Sequence, residues 1–135
     1  MTGVPKTALD SYVRTAVAPH QSKADIEALL ERVGATGFRW SSLVGVREIL
    51  EAGLRVGTHH VAFRLQVDFS SEKERKQRLR ALYWYLKAKI EAIQFGLVDL
   101  EREFLPYLLT TENRTVFDEL SLVERKGWLL EAPQE

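Results

Sequence analysis

The stretch from Ser70 to Gly96, SSEKERKQRLRALYWYLKAKIEAIQFG, constrains the fold more than any other. Ser71 has the side chain of a helix N-cap, Glu74 completes a capping box, and Gly96 suits the far end, so the spacing predicts one helix over 71–96. Its apolar residues form two stripes. Leu79, Leu82, Tyr83, Leu86, Ile90, Ile93 and Leu97 recur at helical spacing and should cover a sheet. Ala81, Trp84, Tyr85, Ala88, Ala92 and Phe95 run alongside. A helix apolar over so much of its circumference must be covered on more than one side. The cover is either a pair of C-terminal helices, a second copy of the chain, or a partner that takes Trp84 and Tyr85 as anchors, because Trp, Tyr and Arg dominate interface hot spots.

The same helix is oddly charged. From Glu72 to Lys89 seven bases face two acids, a net +5, while from Asp99 onward nine acids face four bases, a net −5. Lys73, Arg75, Lys76, Arg78 and Arg80 crowd the first turns. Cations at a helix start oppose the backbone dipole by a few tenths, roughly, of a kcal/mol each. Two arrangements offset that cost. An external anion, phosphate or carboxylate, could receive the guanidinium groups and the first amides. Alternatively, these side chains are solvated and pair with the acidic C-terminal third of the same chain.

Upstream of this helix, VAFRLQVDF alternates cleanly. Val61, Phe63, Leu65, Val67 and Phe69 face one way, and Ala62, Arg64, Gln66 and Asp68 the other, which predicts a strand. With GTHH as connector, 54–56 and 61–69 make a hairpin. Thr36, Phe38 and Trp40 share a face of another short strand, with Gly37 leaving a smooth spot on the opposite side. Between them, SSLVGVREILEAGLRVG reads as helical or irregular to about Ala52, with a strand from Leu54. Nearer the N-terminus, 1–9 reads as a flexible arm, SYVRTAV as a strand ended by Pro19, and Ser22 as the start of a helix with Asp25 in a capping position. Ile26, Leu29, Leu30 and Val33 give that helix its apolar stripe, and Gly34 its end.

Beyond the long helix, Asp99 caps LEREFL, Pro106 stops it, and TENR turns the chain. Thr115 caps a last helix carrying Val116, Phe117, Leu120 and Val123 and ending near Gly127, after which Trp128, Leu129 and Leu130 should tuck onto the body. The expected fold is α+β: a small antiparallel sheet covered on one face by helices, in the order β-α-β-β-α-α-α, with residues 10–135 forming a single domain.

Chemistry is sparse. With no cysteine there is no disulfide, thiolate nucleophile or Cys-based metal site. His59 and His60 are adjacent, so on a strand they point to opposite faces and cannot chelate together; His20 is the third histidine. GATGF lacks the lysine and spacing of a phosphate loop, and Asp99 with Glu103 is a single, unspecific carboxylate pair. No catalytic residue, metal or cofactor is expected. The formal net charge of zero and pI near 6.9 exert no overall pull toward nucleic acid. The start, MTGVPKTALD, is unlike a signal peptide, and no apolar run approaches the roughly 20 residues of a membrane span.

GATGF at 34–38, VAFRLQV at 61–67, RLRALYWYLKAKIEAIQFG at 78–96, EREFLPYLL at 101–109 and NRTVFDEL at 113–120 together resemble a family of small hypothetical proteins encoded by tailed bacteriophages and prophages. The resemblance covers about residues 22–120. This chain departs from it in having Glu112-Asn113-Arg114-Thr115 where relatives often show Asp-Gly-Arg-Thr, and in a longer, less strand-like 41–56 stretch. The resemblance implies a phage context near genes of replication, recombination or host takeover, and brings no catalytic residue.

Joined to the charge pattern, it leads to an expected function: a non-enzymatic accessory protein of replication, recombination or transcription. Its partner would be nucleic acid or a nucleic-acid-processing complex, met through Lys73, Arg75, Lys76, Arg78 and Arg80. The alternative is a host-takeover protein that docks on a host enzyme such as RNA polymerase or a defence nuclease through Trp84 and Tyr85. Both place the protein, soluble and away from membranes, in the host cytoplasm.

Overall fold

The structure, a computed structural model, describes residues 12–121 and 126–133. The arm expected at 1–9 and Val123 lie outside the described residues. The elements are α1 (Pro19–Glu31), β1 (Thr36–Leu43), β2 (Arg47–Val56), β3 (His59–Asp68), α2 (Glu72–Phe95), α3 (Leu100–Phe104), a 3-10 turn (Leu105–Tyr107), α4 (Val116–Glu119) and a second 3-10 turn (Lys126–Trp128). The three strands form one antiparallel sheet in the order β1-β2-β3. It is a small α+β domain with helices packed on one face of that sheet.

Alternation selects the covered face. Leu50, Ala52 and Leu54 of β2 and Phe63 and Leu65 of β3 point inward and are buried. Ile26, Leu29 and Leu30 of α1, and Leu86 and Ile90 of α2, close over them in one cluster with Phe104, whose ring meets Phe63 edge-on at 5.4 Å. Each such side chain contributes about 1.5–3 kcal/mol on burial. Phe63 and Phe104 therefore fasten the C-terminal segment to β3, and Leu108 extends that contact by pairing with Phe63.

Several expectations need correction. No strand forms in 12–18: Tyr12 and Val13 lie in a helical turn, and Pro19 opens α1 instead of ending a strand. A proline fits that first position because its missing N–H would be unpaired there anyway. Ser22 is consequently not a cap but a fully buried residue inside α1. From Pro19 onward the order of elements thus runs α-β-β-β, not β-α-β-β.

The 41–56 stretch is not a helical insertion. It is the end of β1, a turn at 44–46, and a ten-residue strand in register with β3 from Arg47↔Asp68 to Val56↔His59. Glu48 concealed the alternation, because it occupies an inward position and is a charge. The last helix is one turn, four residues, with Thr115 Oγ1 accepting from the Asp118 amide at 3.2 Å as its cap. Asn113 has φ 60°, a backbone conformation that glycine and asparagine adopt most readily. Trp128, Leu129 and Leu130 do not tuck in: they are 61, 61 and 96% exposed. Leu97, expected beneath the helix, is also exposed, because the left-handed Gly96 (φ 84°) turns the chain away first.

Candidate binding face at the head of the long helix

The first turn of α2 is satisfied by its own sequence. Ser71 Oγ accepts from the Glu74 amide at 3.1 Å, and the Glu74 carboxylate accepts from the Ser70 amide at 3.2 Å. The expected cap holds, with the return bond shifted by one residue.

Among the described residues, the acids that answer the crowded cations come from the sheet, from α1 and from α2 itself, not from the acidic C-terminal third. Arg75 donates to Glu72 at 2.7 Å and to Glu48 at 3.3 Å. Burial works against its charge, but these two carboxylates outweigh it and raise its pKa. Arg80 donates to Asp25 of α1 at 2.8 Å, with its guanidinium carbon 3.9 Å from the centre of the Tyr83 ring. That bond is the main cause holding Asp25 below the ordinary carboxylate range. Arg78 has one acidic partner among the described residues, Glu74 at 3.7 Å, and is half exposed. Lys73 and Lys76 make no ion pair among the described residues; Lys73 is exposed and Lys76 partly so. The C-terminal third reaches α2 further along, where Lys89 donates to Glu103 at 2.8 Å.

Beneath this head lies a charge cluster that sequence reasoning missed. Glu48 is 1% exposed and accepts from Lys23 at 2.5 Å, from Arg75, and from Ser42 Oγ. Burial pushes its pKa up, yet the bonds from Lys23 and Ser42 and the nearby charges of Lys23 and Arg75 bring it down below normal. Lys23 also lies 5.0 Å from the Trp40 ring centre, and Trp40 Nε1 donates to Glu27 at 2.8 Å. The signal was present as an acid in an inward strand position, visible only once β2 is read with period two.

The two expected anchors do not share a face. Successive helical residues are separated by 100°. Trp84 is partly buried, and its buried Nε1 has no hydrogen-bond partner among the described residues. Tyr85 is 46% exposed on the side of β3, with its hydroxyl 2.7 Å from that of Tyr107. Burial and the Tyr85 hydroxyl both push the Tyr107 pKa above its ordinary value. Arg78 and Tyr85 line one shallow cavity with Gln66, Val67 and Asp68 of β3.

One more feature belongs to this end of the molecule. The Phe69 amide donates to the Val46 carbonyl at 2.9 Å, which sets the β1–β2 turn beside the start of α2. Leu43, Val44 and Val46 on that turn are 55, 92 and 46% exposed. The head therefore presents loose cations next to an apolar tip. Among the described residues no three His, Asp or Glu side chains gather as metal ligands, and no helix is long and apolar enough to cross a membrane. Compared with protein-family profiles, curated proteins and solved structures, the chain matches none.

Proposed function

We propose that the chain is a non-enzymatic accessory protein of phage nucleic-acid transactions, acting in the host cytoplasm, which meets phosphate with Lys73, Lys76 and Arg78. The observation that carries this reading is the division among the cations. Arg75 and Arg80 are committed to Glu48, Glu72 and Asp25, whereas Lys73 and Lys76 remain without an ion pair among the described residues. Arg75 and Arg80 then hold the helix in place, and the other three make the contact. The resemblance to phage-encoded proteins supplies the setting. With so few contacts the binding is weak and strongly salt-dependent, because each neutralised phosphate releases counterions. Fluorescence anisotropy with single- and double-stranded oligonucleotides at low and moderate salt tests it. Binding should appear at low salt and vanish in a Lys73→Glu/Lys76→Glu variant that keeps its circular dichroism; absence of low-salt binding by the unaltered protein would refute the reading.

The apolar tip favours a second reading, contact with a host enzyme. Leu43, Val44 and Val46 offer nothing to a phosphate backbone but suit a cleft rimmed by acids on a protein. A Val44→Asp change should leave oligonucleotide binding nearly intact and abolish capture of an enzyme partner. Equal loss of both would discard the distinction.

A further inference from the structure

β3 has one edge that the sheet leaves open. The Ala62 carbonyl accepts from the Leu109 amide at 2.8 Å, so Ala62 and, by alternation, Arg64, Gln66 and Asp68 turn their peptide groups away from β2. Leu108 and Leu109 cover the edge only at Ala62 and Phe63; past them, no described residue pairs with Gln66 or Asp68 along it. A cavity lies on each side of this stretch. On the outer side, Arg64, Pro106, Tyr107 and Phe117 line about 580 Å³, with Phe117 63% exposed. On the helix side, Val67, Arg78, Leu82 and Tyr85 line about 360 Å³. A strand laid on the edge would send alternate side chains into the two cavities, the first mostly apolar, the second apolar at Val67 and Leu82 with Arg78 and Asp68 at its charged end.

The chain itself carries a segment of that pattern. Residues 129–133, which follow the 3-10 turn, take no regular structure, and Trp128, Leu129 and Leu130 are among the most exposed large apolar residues described. Drawn out as a strand, Trp128 and Leu130 project to one side and Leu129 and Glu131 to the other.

We infer that residues 128–131 of a second copy add as a short strand to the open edge of β3, and that reciprocal exchange of these segments makes a dimer. Trp128 and Leu130 fill the cavity of Pro106, Tyr107 and Phe117. Leu129 packs on Leu82, and Glu131 reaches Arg78, whose one ion pair among the described residues is with Glu74 at 3.7 Å. Main-chain bonds to Gln66 and Asp68 supply the docking, and alternate pockets supply its selectivity. A reciprocal arrangement closes on itself and forms no fibre. The inference shares Arg78 with the nucleic-acid reading but uses neither Lys73 nor Lys76, so the Lys73→Glu/Lys76→Glu variant should lose oligonucleotide binding and still dimerise.

Sedimentation velocity over a concentration series tests it with the full chain. The unaltered protein should pass from monomer to dimer as concentration rises. A Trp128→Ser/Leu130→Ser variant should stay monomeric. So should Gln66→Pro, which removes an amide facing the open edge and leaves every bond to β2 in place. Phe117→Ser, at an exposed position, replaces it should the proline variant lose its circular dichroism. Mixing the tail variant with the edge variant should restore a dimer joined on one side, because each supplies what the other lacks. A protein monomeric throughout, whether its tail docks on its own edge or not at all, overturns the inference. So does a tail variant that still dimerises, or a mixture that remains monomeric.

Discussion

Glu48 and Glu51 stand three residues apart on β2, each clamped by two cations, on opposite faces of the sheet. Glu48 faces inward, 1% exposed, between Lys23 and Arg75. Glu51 faces outward, 18% exposed, between Arg39 and Arg64, its cross-strand neighbours in register. Both carboxyls are held below their ordinary pKa of 4.5. The causes rank differently. At Glu51 the bond from Arg39 comes first and burial opposes it less; at Glu48 burial is the largest influence and acts against the charge, so several partners are needed to overcome it. The same three charges thus make a dispensable surface ladder on one face and an indispensable clamp on the other. Losing one partner of a buried pair strands the rest out of water, whereas water takes over at an exposed pair.

This contrast can be broken in stages. Glu48→Gln keeps the shape, removes the charge, and leaves Lys23 and Arg75 facing each other beneath the helices; we expect a loss of about 3 kcal/mol. Urea denaturation measures it, and a loss no larger than that of Glu51→Gln would mean that burial does not separate the two sites. Acid should produce a smaller effect in the same direction. A carboxyl whose folded pKa lies below its unfolded value stabilises above the unfolded value, and that contribution is lost as pH falls through the folded one. Stability should therefore fall below about pH 4.5, and the fall should be shallower in Glu48→Gln. Thermal melts from neutral to acid pH read the difference; parallel curves would contradict it. Glu51→Gln should cost about 1 kcal/mol, divided between Arg39 and Arg64 in a double-mutant cycle. Smallest of all, Arg39→Ala, at a side chain 74% exposed, should cost a few tenths, roughly, of a kcal/mol and become neutral in high salt. A salt-independent loss there would reveal a packing role that the exposed position does not suggest.

Legibility in the sequence followed the range of the interaction. The cap of α2 by Ser71, its end at Gly96, the stripe of α1 and the alternation of β3 rest on residues a few positions apart, and all are found in place. β2 escaped because Glu48 interrupts an otherwise readable inward row, and the charge is tolerated only because Lys23, Ser42 and Arg75 converge on it. The N-terminal strand failed for a different reason: alternation over seven residues does not make a strand without a neighbour to pair with. The tail failed because apolar composition says that a segment should be covered, and not by what.

For the candidate face, the sequence alone identified the cations and their crowding. It could not sort them, since Arg80 meets Asp25 across 55 residues and Arg75 meets Glu48 across 27. Composition and local spacing determined which helices and strands this chain can make, because caps and periodicities act through neighbouring peptide groups. Which charges are spent inside the molecule and which stay on its surface was decided by tertiary structure alone, because a salt bridge depends on distance in space and on the water excluded around it.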